Sequence, residues 1–283
     1  MSSAQSPTVR RRRLALELRR LRDAARLTCE EVADRLECSA SKISRIETGR
    51  VSVSPRDVRD MLEIYGVPEE QRDSLVQLAR DSKQKGWWHA YSDHVQPQLA
   101  TYLGLESAAS EIRVYQVHRI PGLLQTPDYA RGTFAAGRLS SSDPSEDLQV
   151  ALLSERQRQA RENPPLVWAV LDEATLRREV GGPEVMRAQI EHLRDLSALP
   201  NFFVQVIPLR NGSYLPMDIP FVIMSFPDRL DPDVVCMRYP TGALWIEDTA
   251  EVGRYAMFFH HLQAAALSFD ESVHLMTSVL KDV

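Results

Sequence analysis

The spacing of apolar residues in the first third of the chain is that of short helices. Leu14, Leu18 and Leu21 lie at positions i, i+4 and i+7, which places them on one stripe of a helix that ends near Arg26. Cap residues followed by acids or proline predict where further helices begin. These starts are at the cap residues Thr28, Ser39 and Ser54, and the acidic pair Glu69 and Glu70 opens the fifth helix. We therefore predict that the chain opens with five short helices and no strand.

The pattern changes after the polar segment 82–86, which ends in glycine and marks the predicted boundary between a domain of residues 1–85 and a domain of residues 86–283. Short apolar runs in the second domain predict strands at 112–117, 166–171, 202–208, 221–226, 234–237 and 244–246. Helical stretches are predicted near 127–136, 147–161, 183–198 and 249–267. The predicted fold class is an all-α domain followed by an α+β domain, in which the strands from 202 to 247 form an antiparallel meander.

Residues 28–50, TCEEVADRLECSASKISRIETGR, meet the packing demands of a helix-turn-helix. A small residue must sit where the two helices come closest, and Ala33 supplies it. Apolar residues must hold the crossing from both sides, and those available are Val32, Leu36, Ile43 and Ile46. Glu37 lies at the turn position where glycine is usual, so we predict that it adopts a positive φ at some energetic cost.

In such a motif the later of the two helices, which is the third helix of this chain, enters the major groove with its start and presents side chains to base edges. Lys42 and Arg45 are the predicted base readers, because both can donate hydrogen bonds to O6 and N7 of guanine. The other residues predicted to lie at DNA are Thr28, Ser39, Ala40, Ser41, Ser44, Arg50, Arg11, Arg12 and Arg13. Of these, we expect Thr28, Arg50 and the run Arg11, Arg12 and Arg13 to contact phosphates. The alternative is a helical bundle whose polar face is merely solvated.

The distribution of charge supports a nucleic-acid partner although the net charge of the 283-residue chain is −5. Residues 1–50 carry 12 Lys and Arg against 7 Asp and Glu, a balance of +5, which leaves −10 for the remainder. Such asymmetry is typical of a small DNA-facing module attached to an acidic body.

The composition also indicates where in the cell the protein works and which kinds of chemistry it lacks motifs for. Cys29, Cys38 and Cys236 have no CxxC spacing, which argues against a disulfide framework and a zinc site and favours reduced thiols. No run of about 18 apolar residues is present, and no apolar segment follows the basic N-terminus, so we expect a cytoplasmic protein without a membrane partner. Histidine spacing and glycine-rich motifs suggest no metal, cofactor or enzyme activity.

The segment SKISRIETGR resembles the third helix of the lambda-repressor/Cro-like, xenobiotic-response-element type of helix-turn-helix, and the resemblance covers roughly residues 9–80. It implies a DNA-binding domain. That family often has glutamine at the first position of the second helix to hold a phosphate, where this chain has Cys29.

The stretch EIRVYQVHRIPGLLQTPDYARGTF, residues 111–134, resembles the C-terminal domain of a large group of actinobacterial helix-turn-helix regulators. Three further segments agree, at 86–88, 170–182 and 219–227, so that the match spans nearly all of 86–280. The resemblance implies a transcription regulator whose large domain has no established activity. Such regulators are often found beside a small partner protein, in an arrangement compared with antitoxin–toxin pairs.

Two groups in the second domain are candidates for ligand or partner binding. The aromatic residues Trp87, Trp88 and Tyr91 follow the linker and suit a ligand site, a dimer contact or packing between domains. Asp172, Glu173 and Arg177 could form the floor of a charged pocket. Ordinary helix electrostatics explains their spacing equally well and is the favoured interpretation.

Three functions are compatible with these patterns. The first is a transcription regulator whose second domain mediates dimerisation and receives a small-molecule or protein signal. The second is an antitoxin-like regulator whose second domain binds a small partner protein. The third and weakest is an enzyme with an appended DNA-binding domain. Because one helix-turn-helix reads only a few base pairs, we expect a homodimer on double-stranded DNA.

Overall fold

In the computed structural model, which describes residues 6–92, 95–137 and 145–282, the chain divides into two compact units, Met1–Ala108 and Ala109–Val283. The first unit opens with the five helices that the sequence predicts. They are α1 (Pro7–Ala24), α2 (Cys29–Arg35), α3 (Ala40–Glu47), α4 (Pro55–Ile64) and α5 (Glu69–Asp81). A 3₁₀ helix (Trp87–Tyr91) and α6 (Pro97–Glu106) complete this unit.

Side-chain caps explain where α1, α2, α3 and α4 begin, whereas α5 and α6 begin without one. Thr28 Oγ1 accepts a hydrogen bond from the Glu31 amide at 3.2 Å, and Glu31 Oε2 accepts one from the Thr28 amide at 2.8 Å. This reciprocal pair is the predicted capping box of α2. Ser39 Oγ caps α3 through the Lys42 amide at 3.2 Å. Each such cap typically stabilises a helix by about 1 kcal/mol.

The core of the first unit is built from the apolar stripes of its helices. Leu14 and Leu18 of α1 are 1% and 0% exposed, and Val58, Met61 and Leu62 of α4 are fully buried beside them. The predicted crossing residues Val32, Ala33, Ile43 and Ile46 belong to the same cluster. The apolar residues read from the sequence in α1, α2 and α3 thus form one core.

A buried ion pair ties the end of α1 to the end of α3. Arg22 Nε lies 2.9 Å from Glu47 Oε1, and the two side chains are only 12% and 3% exposed. Tyr65 donates a hydrogen bond to the same carboxylate oxygen at 3.3 Å, and Arg22 donates another to the Leu27 carbonyl at 2.7 Å. Hydrogen bonding to Glu47 raises the pKa of Arg22. Removing one partner of such a pair costs about 3–5 kcal/mol, because the other charge stays buried.

The division between the units falls later than the boundary predicted at 85/86. Helix α6 packs on α1, and Gly104 allows this close approach, since a Cβ there would lie 2.0 Å from Thr8 Oγ1. The polar segment 82–86 is therefore a connection within the first unit.

The second unit is an α+β domain with one six-stranded mixed sheet. The strands are β1 (Glu111–Gln116), β2 (Leu166–Asp172), β3 (Phe202–Ile207), β4 (Phe221–Ser225), β5 (Val234–Tyr239) and β6 (Gly242–Ile246). The helices are α7 (Pro127–Gly137), α8 (Glu146–Glu162), α9 (Ala174–Arg177), α10 (Pro183–Ser197), α11 (Thr249–Ala265) and α12 (Phe269–Asp282). All six predicted strands are present, whereas α6 and α12 are not predicted by the sequence patterns.

The strand order is β3-β2-β1-β4-β5-β6. Strands β4, β5 and β6 pair antiparallel and form the predicted meander. The inclusion of β3 in that meander is wrong: β3 lies at the opposite edge and runs parallel to β2. Helix α10 connects β2 to β3, and a helical crossover joins parallel strands. Among the described helices, none is both long and apolar enough to cross a lipid bilayer.

Candidate nucleic-acid interface

The turn between α2 and α3 has the backbone conformation that the sequence predicts. Glu37 adopts a φ of +49°, although it carries a side chain. The Cys38 amide donates to the Ala33 carbonyl at 2.9 Å and the Glu37 amide to the Asp34 carbonyl at 3.3 Å, which closes the end of α2 as a Schellman motif. Ala33 is 2% exposed, so the small residue lies beneath this turn as predicted.

One side of helix α3 packs on the core, and the opposite side is exposed to solvent. Ile43 and Ile46 are 0% and 3% exposed, and they fix the rotation of the helix on the core. The polar residues of this segment point to solvent: Ser39, Ser41, Lys42, Ser44 and Arg45 are exposed, while Ala40 is half-buried. The geometry therefore gathers the side chains predicted to read bases on one solvent-facing surface.

Lys42 is paired with an acid from a neighbouring helix. Its Nζ lies 3.1 Å from Asp57 Oδ2 in the first turn of α4, with side-chain exposures of 50% and 33%. Asp57 also accepts a hydrogen bond from Ser54 Oγ at 2.8 Å. Partial burial alone would raise the pKa of Asp57, but the hydrogen bonds from Ser54 and Lys42 outweigh it and lower the pKa. The Lys42 ammonium is thus held at a defined place beside the start of α4.

The end of α3 is closed tightly against α1. Gly49 has a φ of +66°, and the Arg50 amide donates to the Arg45 carbonyl at 2.9 Å. A Cβ on Gly49 would meet Ala15 Cβ at 3.7 Å, so the constraint at this position is the positive φ rather than space. Arg50 lies just beyond, with an exposed side chain, and Thr28 is exposed at the start of α2.

The positions of the arginines at 10–13 differ from those that the sequence predicts for contacts with phosphates. Residues 10–13 lie inside α1, which begins at Pro7. Arg12 is only 9% exposed, and a guanidinium buried in the unit is not placed to meet a phosphate, so we leave it out of the candidate surface. Arg11 and Arg13 are half-buried, and burial lowers the pKa of Arg11. Arg10 donates to Gln84 Oε1 at 3.2 Å.

The aromatic residues predicted as a ligand or partner site belong to the first unit. Trp87 and Trp88 meet edge to face with ring centroids 5.9 Å apart, and Tyr91 lies against Trp87 at 6.4 Å. Trp88 is 6% exposed and covers Gly86, where a Cβ would lie 2.2 Å from the ring. Packing therefore accounts for Trp88 without a ligand.

The charged residues predicted for the same role are engaged inside the second unit. Asp172 ends β2 and accepts hydrogen bonds from the Tyr214 hydroxyl and, at 2.8 Å, from the Ala174 amide. Glu173 accepts from Arg177 Nε at 2.6 Å and from the Leu209 amide at 2.9 Å. These bonds fix the turn after β2, which agrees with the structural interpretation of the three residues.

Comparison with known protein families bears on both units. Residues 13–75 match a helix-turn-helix domain, which contains α2, the turn and α3. Residues 99–278 match a domain of unknown function, DUF5753. Neither a curated protein nor a solved structure matches the chain significantly. The helix-turn-helix match and the exposed face of α3 together indicate a DNA-binding regulator. The chain belongs to the DUF5753 family and carries a helix-turn-helix domain ahead of the family domain.

Proposed function

We propose that this protein regulates transcription by recognising a specific duplex sequence through α3, as a helix-turn-helix of the lambda-repressor/Cro-like type. The observation that carries the proposal is the placement of Lys42 and Arg45 on the exposed side of a helix whose other side is locked by Ile43 and Ile46. Both cations can reach guanine edges from the major groove. We further propose a homodimer, because two copies are needed for useful sequence discrimination.

The role that we propose for the second domain is dimerisation together with reception of a small-molecule or protein signal, without catalysis. The commitment of Asp172, Glu173 and Arg177 to internal hydrogen bonds supports a non-catalytic domain. A protein that acts on chromosomal DNA would work in the cytoplasm of the cell.

The alternative is an antitoxin-like regulator, whose second domain binds a small partner protein. The second unit, residues 109–283, carries 16 Lys and Arg against 23 Asp and Glu, and this balance of −7 favours a partner with basic character. Native mass spectrometry of the protein isolated from its own cells distinguishes the two. A small protein bound in stoichiometric amount supports the alternative, and a bound metabolite supports the first proposal.

The decisive experiment starts with selection of a preferred sequence from duplexes that have a randomised central segment. Binding of the selected duplex and of a scrambled duplex is then compared for Lys42→Ala and Arg45→Ala. We expect each substitution to reduce discrimination by about 1–3 kcal/mol, the value of one base-reading contact. Arg50→Ala should instead weaken both duplexes alike and reduce the salt dependence by about one counterion.

Arg80→Ala is the matched control, because Arg80 is an exposed arginine on α5, a helix that packs on α1 and α4. It should leave discrimination unchanged. If Lys42→Ala and Arg45→Ala both retain the discrimination of the wild type, α3 is not the reading helix and the proposal fails.

A further inference from the structure

The two edges of the sheet differ in whether another segment of the chain is hydrogen-bonded to them. At the β3 edge the connection between α11 and α12 covers the strand: the Leu267 amide donates to the Val206 carbonyl at 2.9 Å, and the Val206 amide donates to Ser272 Oγ at 3.0 Å. At the β6 edge, within the described ranges of the chain, Gly242–Ile246 has no backbone hydrogen bond except those to β5. One edge is closed, and the other is left open by the residues that the structure describes.

The open edge lacks the features that keep exposed strands apart. Natural edge strands are protected by charged side chains, proline or a bulge. The sequence of β6 is GALWI, without a charge or a proline, and its register with β5 runs without a bulge from Ile246 to Gly242. A strand of this kind offers unpaired amides and carbonyls to an additional strand.

The centre of this edge is apolar on the face that the core covers. Leu244 and Ile246 lie on the same face as their β5 partners Met237 and Val235, which pack in the cluster under α11. Leu244 is nevertheless 52% exposed, because β6 has no neighbour beyond it. A strand added there would extend the apolar face and cover Leu244.

The charges around the edge select the direction of the added strand if it comes from a second copy. Arg238 lies opposite Ala243 near the beginning of β6, whereas Glu247, Asp248 and Glu251 follow its end. A parallel pair of copies would set acidic end against acidic end, which is unfavourable. An antiparallel pair keeps the acidic residues Asp248 and Glu251 of the two copies apart and brings them toward the end of the edge where Arg238 of β5 lies.

We propose that the second unit dimerises by antiparallel pairing of β6 with β6 of a second copy, with Leu244 at the two-fold axis, so that the two sheets become continuous. The same patch serves both copies, as a two-fold interface requires. This inference rests on the proposed function in that it names the surface that brings two helix-turn-helix domains to one operator.

The test is sedimentation velocity of the full chain without DNA over a range of concentrations. Leu244→Lys places a charge at the centre of the edge and should weaken the dimer at least about tenfold, while Leu244→Ile should retain it. Leu209→Lys is the matched control: Leu209 is 54% exposed, but it follows β3 at the other edge of the sheet. This control should dimerise like the wild type.

Hydrogen exchange gives a second measurement that does not depend on a variant. Amides of Gly242–Ile246 should be more protected at high protein concentration than at low concentration. The proposal is overturned if Leu244→Lys dimerises as the wild type does, or if these amides are insensitive to concentration while a dimer forms. A wild type that stays monomeric and pairs only with a small protein overturns it too.

Failure of this inference can be told from failure of the proposed function. Two copies on the selected duplex with an intact Leu244→Lys dimer would contradict the β6 interface and leave the regulator standing. Loss of the dimer in Leu244→Lys, with a wild type that does not discriminate between duplexes, would contradict the regulator and leave the interface standing.

Discussion

At the scale of single residues, the main addition to the sequence pattern is the contact between Lys42 and Asp57. Lysine is a flexible point charge, and a base reader gains specificity only if its ammonium is kept in place. Asp57 lies 15 positions away in the chain, so no local pattern joins the two residues. The same limit applies to Arg12, whose burial depends on packing that a run of arginines does not reveal.

We predict that Asp57→Asn separates affinity from discrimination. Removing a negative charge near α3 should strengthen binding to any duplex, because the phosphate backbone is repelled less. Loss of the ion pair should free Lys42 and lower the preference for the selected duplex by up to about 5-fold, as expected for a half-exposed pair worth up to about 1 kcal/mol. Both quantities follow from fluorescence anisotropy titrations of the two duplexes.

Asp60→Asn is the control for this substitution. It makes the same change of charge on α4, where Asp60 lies 4.0 Å from Arg56 in an ion pair of its own. General affinity should rise in Asp60→Asn with discrimination retained. Equal loss of discrimination in the two variants would show that Asp57 acts through charge alone and does not position Lys42.

At the scale of elements, local signals explain most of what the sequence predicted. Caps and the positive φ of Glu37 depend on neighbours within a few residues, and the first four helices follow from them, while the acidic first turn of α5 marks the fifth. Helix α12 also has a local signal, because Ser268 and Glu271 form a capping box with Glu271 Oε2 3.0 Å from the Ser268 amide. The place of β3 depends on contacts far apart in the chain and could be inferred only from the intervening α10.

The candidate site divides in the same way. The exposed face of α3 follows from the spacing of Ile43 and Ile46, which a sequence displays directly. Asp172 and Glu173 are ambiguous in the sequence, because a carboxylate in a turn serves a ligand or the backbone equally well. Only the positions of Tyr214 and the Leu209 amide, both distant in the chain, identify their structural role.

A chain of hydrogen bonds anchors the segment between β3 and β4 to the sheet, and it predicts a dependence on alkaline pH. Tyr115 of β1 donates to the Tyr214 hydroxyl at 2.9 Å, and Tyr214 donates to Asp172. Burial raises the pKa of Tyr115 to about 12 from an ordinary value of 10.0. The stabilisation is therefore complete below about pH 10 and is lost as pH rises toward 12, where the unfolded chain ionises first.

Tyr115→Phe should cost about 1 kcal/mol near neutral pH through the lost hydrogen bond, and it should weaken the loss of stability in alkali. Thermal unfolding at about pH 8 and about pH 11 measures both effects, and tyrosinate absorbance locates the missing ionisation. Tyr239→Phe changes a side chain that is 55% exposed and should behave as the wild type. Identical alkaline profiles for all three proteins would contradict a role for Tyr115.

At the scale of the whole molecule, the division of charge is consistent with a short basic DNA-binding segment and an acidic remainder of the chain. The balance of +5 in residues 1–50 comes with exposed acids at Glu30 and Asp34 on α2 and at Glu37 in the turn that follows. A surface with so few unopposed cations neutralises few phosphates and binds non-specific DNA weakly. Specific binding must then come from base contacts and from the joining of two copies. Once one copy is bound, the joining raises the effective concentration of the other copy's helix-turn-helix domain at the operator.

Recognition by two joined copies predicts a strict spacing in the operator. Two-fold related domains of this type meet half-sites whose centres lie roughly 34 Å apart, about one helical turn. Insertion of about 5 base pairs between the half-sites turns one of them to the opposite face of the duplex, so affinity should fall to that of an isolated half-site. Insertion of about 10 base pairs restores the face and should recover part of the loss. Leu244→Lys should bind all three duplexes with the same low affinity, because its copies bind independently. If the wild type binds the three spacings equally, its two copies are not held by a fixed interface, and recognition by a rigid dimer is excluded.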